Sequence, residues 1–159
     1  MPEARPNALA AWKSIVPLVN GLVDGRSEAE LDEKPDGSPF TVRELVHHIA
    51  EANVVAASIV TAALGSPGSV YDWSWMLPFG KWMELMRYDK KPVAPSLRLL
   101  EAINAYVAAQ VEPLEDGLDR RVRLRDEPEG ALREVTVADV LLQEADHASE
   151  HAGAAGRPS

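Results

Sequence analysis

The sequence predicts an all-α protein, a bundle of four substantial helices. Apolar residues recur at helical spacing in four separate stretches, two of those stretches open on the same capping signature, and only one short segment alternates as a strand does. At 159 residues the chain has the length of a single domain, 1–159. That length buries enough surface in one core to need no disulfide or structural staple.

In the first helix Leu9, Trp12, Val16, Val19 and Val23 fall on one face. Pro17 lies inside this run. It lacks an amide hydrogen and its ring clashes with the preceding turn, so the sequence predicts a kink or a break there. Residues 25–39 read as connector with a short helical turn near Ser27 to Leu31. The second helix opens on Thr41-Val42-Arg43-Glu44, a capping box flanked by the staple pair Phe40 and Leu45. Leu45, Ile49, Ala52, Ala56 and Ile59 carry its apolar face to about Leu64, and Gly65-Ser66-Pro67-Gly68 ends it.

Residues 65–95 differ in composition. They hold Trp73, Trp75, Trp82, Met76, Met83 and Met86, and the spacing of Phe79, Trp82, Met83 and Met86 predicts a short amphipathic helix near 79–88. Such a segment either caps one end of the core or forms a pocket wall or a dimer face. A third helix is expected from about Pro95 to Val111, with Leu97, Leu100, Ile103, Asn104, Val107 and Val111 as its stripe. Val122 and Leu124 alternate with arginines, and Glu127-Pro128-Glu129-Gly130 follows, which suggests a small hairpin ending at Val135. The fourth helix starts at Thr136-Val137-Ala138-Asp139, a capping box with Asp in place of Glu, and continues to about Ala155.

Composition narrows the function classes. Sixteen Lys and Arg against 25 Asp and Glu leave a net charge of −9, which argues against a nucleic acid or an anionic membrane as partner. The apolar fraction of 46% is too high for a disordered chain. With no cysteine there is no disulfide, thiolate ligand or protein-borne thiol nucleophile. Residues 1–6 form no apolar signal core, and no apolar run approaches the length of a membrane span, so a cytoplasmic location is expected.

Three of the four histidines can be placed together. His147 and His151 sit one turn apart on one face of the fourth helix, a spacing that can aim two imidazoles at one divalent metal. On the second helix His48 shares a flank with Leu45 and Ala52, whereas His47 shares a more polar stripe with Arg43 and Glu51, so His48 is assigned inward and His47 outward. His48 is seven residues past Thr41, or about 10 Å into its helix, and His147 and His151 lie about 12 and 6 Å from the end at Ala155. If the two helices run antiparallel, the three rings fall at one level. Three neutral nitrogens suit zinc, nickel or iron, with manganese a further candidate, better than calcium or magnesium. Three protein ligands leave coordination positions open, which is the catalytic arrangement. The alternative is that the histidines are ordinary, partly buried or solvated side chains. Glu144, three before His147 on the same stripe, is the candidate catalytic residue: it can orient a ligand, act as a base or ligate directly, or be a solvated charge. Asp146 and Glu150 fall on other faces and read as surface residues.

Two of these stretches carry a resemblance to a known family. Phe40-Thr41-Val42-Arg43-Glu44-Leu45-Val46-His47-His48-Ile49-Ala50, and Thr136-Val137-Ala138-Asp139-Val140-Leu141 leading to His147 and His151, resemble the helix openings and last-helix histidine pair of the DinB/YfiT superfamily of metal-binding four-helix proteins. Leu31 to Pro35 also resembles the family's approach to its second helix. The resemblance implies that His48, His147 and His151 are the metal triad. It also implies an up-down-down-up bundle with a long, here aromatic-rich, crossover between the second and third helices, and a homodimer. It further implies a zinc or nickel site and thiol-transferase, thiol-dependent isomerase or hydrolase chemistry, with a low-molecular-weight thiol as cosubstrate. The sequence departs from the family after the last histidine, where His151-Ala152-Gly153-Ala154-Ala155 lacks the usual Gln, and residues 65–95 match no family motif. Two readings follow. One is a metal-dependent enzyme acting on a small electrophilic molecule. The other is a non-enzymatic metal- or ligand-binding stress-response protein.

Overall fold

The computed structural model describes residues 5–155, so the expectations for the extreme amino terminus and for 156–159 lie outside the described residues. Six helices and three short strands follow in chain order: α1 (Arg5–Val23), α2 (Glu28–Leu31), α3 (Val42–Gly65), β1 (Val70–Asp72), α4 (Phe79–Met86), α5 (Val93–Val111), β2 (Arg121–Arg125), β3 (Leu132–Thr136) and α6 (Val137–Ala155). The four long helices α1, α3, α5 and α6 form the bundle. α1 and α3 each pack against both α5 and α6 and face each other diagonally.

The fold is mostly helical, and the all-α expectation is corrected by a three-stranded sheet of order β1-β2-β3. β2 and β3 are the antiparallel hairpin the alternation predicted, with Val122 opposite Val135. Val122, Leu124 and Val135 are buried, so one face of the hairpin closes the core. β1 pairs parallel with β2 and escapes detection because three residues cannot show a period.

α1 is continuous through Pro17, so the predicted break does not occur. Pro17 and Lys13, whose carbonyl loses its helical partner, are both exposed, so water can satisfy the orphaned group. The buried face is Ala8, Trp12, Ile15, Val19 and Leu22, rotated slightly from the predicted stripe, and Leu9, Val16 and Val23 flank it. Trp12 Nε1–H donates to the Asn104 carbonyl at 3.0 Å, and Asn104 Nδ2 donates to the Trp12 carbonyl at 2.6 Å, which locks α1 to α5 inside the core.

Both predicted capping boxes form. Thr41 N–H donates to Glu44 Oε2 at 2.8 Å while Thr41 Oγ1 accepts from Glu44 N–H at 3.1 Å. Thr136 N–H donates to Asp139 Oδ2 at 2.8 Å, and Thr136 ends β3 as it caps α6, so the strand passes into the helix without a loop. α5 begins two residues before the expected Pro95, which sits in the first turn where no amide donor is needed. α3 is by length and composition apolar enough to cross a membrane, which the sequence reading did not register. Its buried residues make it the central helix of the core.

Contacts fix two helix directions. His47, early in α3, meets Ser96 and Lys91 at the start of α5, so α3 and α5 run parallel and residues 66–92 must return along the bundle. Along α3, His48 meets His151 and His147 while Asn53 meets Glu144, so α3 and α6 run antiparallel.

Candidate metal centre

The antiparallel seam of α3 and α6 brings His48, His147 and His151 to one level. Their Nε2 atoms stand 2.8 Å (His48–His147), 3.1 Å (His48–His151) and 3.1 Å (His147–His151) apart. The ring centroids are all 4.7 Å apart and the interplanar angles are 86°, 89° and 83°. Three nearly perpendicular planes meet at one point, so the Nε2 lone pairs converge from one side, as in a facial donor set.

The chemistry of this donor set fits a divalent cation. Burial first, and then the facing His147 and His151, push the His48 pKa down to about 3, and burial lowers that of His151 as well. Both rings are therefore neutral at pH 7, the form in which imidazole binds a metal. The point equidistant from the three nitrogens lies about 1.7 Å from each, a few tenths of an ångström inside an imidazole–zinc bond of about 2.0–2.1 Å. A small opening of the rings, or a cation lying out of their plane, accommodates that difference. No other group of three histidines and carboxylates among the described residues has its ligand atoms this close together.

Glu144 lies behind the triad rather than beside it. Its Oε1 is 3.3 Å from His147 Nδ1 and accepts from Asn53 Nδ2 at 2.9 Å. The first contact favours the tautomer with the proton on Nδ1, which leaves the His147 Nε2 lone pair free. Burial raises the Glu144 carboxyl above its ordinary value, against the opposing pull of His147 and Asn53. Asn53, fully buried, also donates to the Ile49 carbonyl at 2.9 Å, and its Oδ1 has no hydrogen-bond partner. A fully buried asparagine in the middle of an apolar helix was the available sequence signal for this pair.

His47 is not outward. It is buried, with Nδ1 2.7 Å from Ser96 Oγ and Nε2 3.1 Å from the Lys91 carbonyl, and its ring stacks on Tyr88 at 5.6 Å. α3 has long helices on two sides, so the flank predicted to face solvent faces α5 instead.

A cavity of about 450 Å³ opens beside the triad and runs along α3 from His48 to Ile59, about 16 Å. Trp73, Met76, Leu77 and Phe79 wall it, and the Phe79 ring lies 4.5 Å from that of His48. Of the alternatives for the aromatic segment, part of it makes a pocket wall, while its Trp75 and Leu85 are exposed. The predicted amphipathic helix is α4, shorter than expected at Phe79–Met86. Glu51 also lines the cavity; the sequence had placed it only on a polar stripe.

The profile of the DinB superfamily matches residues 10–155. Among solved structures, YfiT from Bacillus subtilis, described as a probable metal-dependent hydrolase with an unusual four-helix bundle topology, is 18% identical. The alignment covers 96% of this chain and 84% of that one, with a TM-score of 0.77. A mycothiol-dependent maleylpyruvate isomerase is 15% identical over 97% of this chain with a TM-score of 0.70, and a variant of that enzyme scores 0.71. This chain spans 61% of the isomerase's length. No curated protein matches the sequence. At these identities the structural likeness establishes the fold.

Proposed function

The chain belongs to the DinB superfamily, and within it we propose a divalent-metal-dependent enzyme that acts on a small electrophilic molecule. His48, His147 and His151 would hold the metal, zinc or nickel before iron or manganese. The observation that carries this reading is the convergence of three imidazole Nε2 atoms, 2.8–3.1 Å apart, beside an open cavity. A divalent cation bound there supplies a thiol or water nucleophile at neutral pH by lowering its pKa. The absence of cysteine fits an external low-molecular-weight thiol, and the neighbours described as a hydrolase and a thiol-dependent isomerase support the two reaction types.

The chain's own residues divide the work. Glu144 accepts from His147 Nδ1–H and so fixes the ring that presents Nε2, which makes it a positioning residue. Phe79, whose ring lies 4.5 Å from that of His48, and Met76 give the cavity an apolar wall against which the substrate body would lie. The observed directions of α3, α5 and α6 support the up-down-down-up order for the whole bundle. A homodimer in the cytoplasm completes the reading.

The test is elemental analysis of the purified chain, followed by turnover assays of the zinc- and nickel-loaded forms with thiols and small electrophiles. One divalent ion per chain and thiol-dependent consumption of an electrophile are expected. A bound metal without turnover of any substrate would favour the non-enzymatic binding protein.

A further inference from the structure

We propose that the cavity takes a small molecule bearing a cationic nitrogen, a protonated amine or an amidinium, and that Glu51 recognises it. This deepens the metal-site reading by naming a substrate class, and it rests on that reading only for which end of the molecule reacts.

Three carboxylates line the cavity, Glu51, Asp126 and Glu144, against one cation, Arg133. Arg133 is already engaged: its Nε donates to Asp126 Oδ2 at 2.8 Å and its Nη2 to Oδ1 at 3.1 Å. Asp126 also accepts from Trp73 Nε1–H at 2.9 Å. Glu144 is occupied by Asn53 and His147. In the metal-free protein an incoming anion therefore finds no unpaired lysine or arginine on the wall, and the net charge of −9 repels it at a distance.

Glu51 is different. Its Oε2 accepts from Trp82 Nε1–H at 2.9 Å and from the Tyr88 hydroxyl. Tyr88 is buried and stacked on His47, so the tether is rigid. Both donors are neutral, so the carboxylate is held in one orientation without being neutralised. Among the described residues its Oε1 accepts no hydrogen bond and no lysine or arginine pairs with it. A fixed, uncompensated carboxylate on a mostly apolar wall is what a ligand's cationic nitrogen pairs with, because reduced screening there strengthens the attraction. Glu51 lies one turn beyond His48 on α3, with Cβ atoms about 5–6 Å apart for that spacing. The cationic nitrogen would thus sit within a few bonds of the atom presented to the histidines, and the apolar remainder would run toward Ile59 and Leu124.

The test is calorimetric titration of the full chain at pH 7 with 2-phenylethylamine, 2-phenylethanol and 3-phenylpropionate, matched in body and different in charge. The ranking is read in metal-free protein, so that no probe can ligate a metal. The amine is expected to bind at least tenfold tighter than the other two. In Glu51→Gln, whose amide oxygen can still accept from Trp82 and Tyr88, the preference should fall below twofold with the alcohol unchanged. Equal binding of amine and alcohol, a preference for the carboxylate, no amine binding, or a preference that survives Glu51→Gln overturns the proposal. The wild-type ranking alone decides the charge preference, and if Glu51→Gln does not fold, Glu51→Asp tests the residue: a weakened amine preference is expected, and an unchanged one overturns the assignment to Glu51. A parallel zinc titration without probes reads the metal site alone, so loss of the metal reading leaves the amine result standing.

Discussion

His47 and His48 are neighbours in sequence and belong to two different seams. On the α3–α5 seam both ring nitrogens of His47 are occupied, by Ser96 and by the Lys91 carbonyl. On the α3–α6 seam His48 turns its Nε2 toward two other imidazoles, which cannot all donate to one another when neutral. The difference teaches how to tell a histidine satisfied by the fold from one placed where it could hold a metal. Burial does not separate them, since both are buried. Saturation does: the first ring has a separate oxygen partner at each nitrogen, while the second shares one small space with two other Nε2 atoms, whose three contacts neutral rings cannot all satisfy.

The sharpest way to break this comparison is to delete one ring from each seam. His48→Ala or His151→Ala should abolish stoichiometric zinc retention after gel filtration, measured by elemental analysis, because two imidazoles cannot hold the ion through buffer exchange. His47→Ala should retain one zinc per chain and instead lose about 1–3 kcal/mol of stability in urea unfolding, from buried partners left unpaired. If His47→Ala lost the metal as completely as His48→Ala, saturation would not be the criterion.

A smaller effect is expected one step behind the triad. Glu144→Gln keeps the shape but weakens the acceptor that holds the His147 tautomer. Zinc affinity should fall by about 10–100-fold, read by chelator competition, with little change in thermal midpoint. An unchanged affinity would return Glu144 to a merely buried charge.

The smallest effect is electrostatic and lies on the cavity wall formed with the hairpin. Arg133 holds the Asp126 carboxyl below its ordinary value. A lowered folded-state pKa stabilises the fold above the unfolded value and loses that contribution as pH falls through the folded one, so the window lies below about pH 4. Asp126→Asn should flatten the acid limb of the stability curve there and leave metal retention at pH 7 untouched.

Much of the bundle was legible because its signals are local. Thr41 with Glu44, and Thr136 with Asp139, specify helix starts within four residues, and the structure forms both boxes. The meeting of His48 with His147 and His151 was reachable by counting residues from helix ends, since 1.5 Å per residue converts position into depth. What escaped detection depends on neighbours distant in the chain. β1 exists only because β2 offers it an edge, and His47 is buried only because α5 lies parallel to α3. Pro17 read as a kink or a break, and the sequence does not show that its side of α1 faces water, where the helix can continue through it. Glu51 looked like surface until Trp82 and Tyr88, 31 and 37 residues away, folded back onto it.

The central claim, that three imidazoles from two helices converge on one accessible cation, is tested most directly by X-ray absorption at the zinc edge of the loaded protein. The account predicts three histidine nitrogens at about 2.0–2.1 Å plus at least one exchangeable light atom whose signal changes when a thiol is added. A first shell with fewer than three imidazoles, or one closed by protein carboxylates and indifferent to thiol, would contradict it.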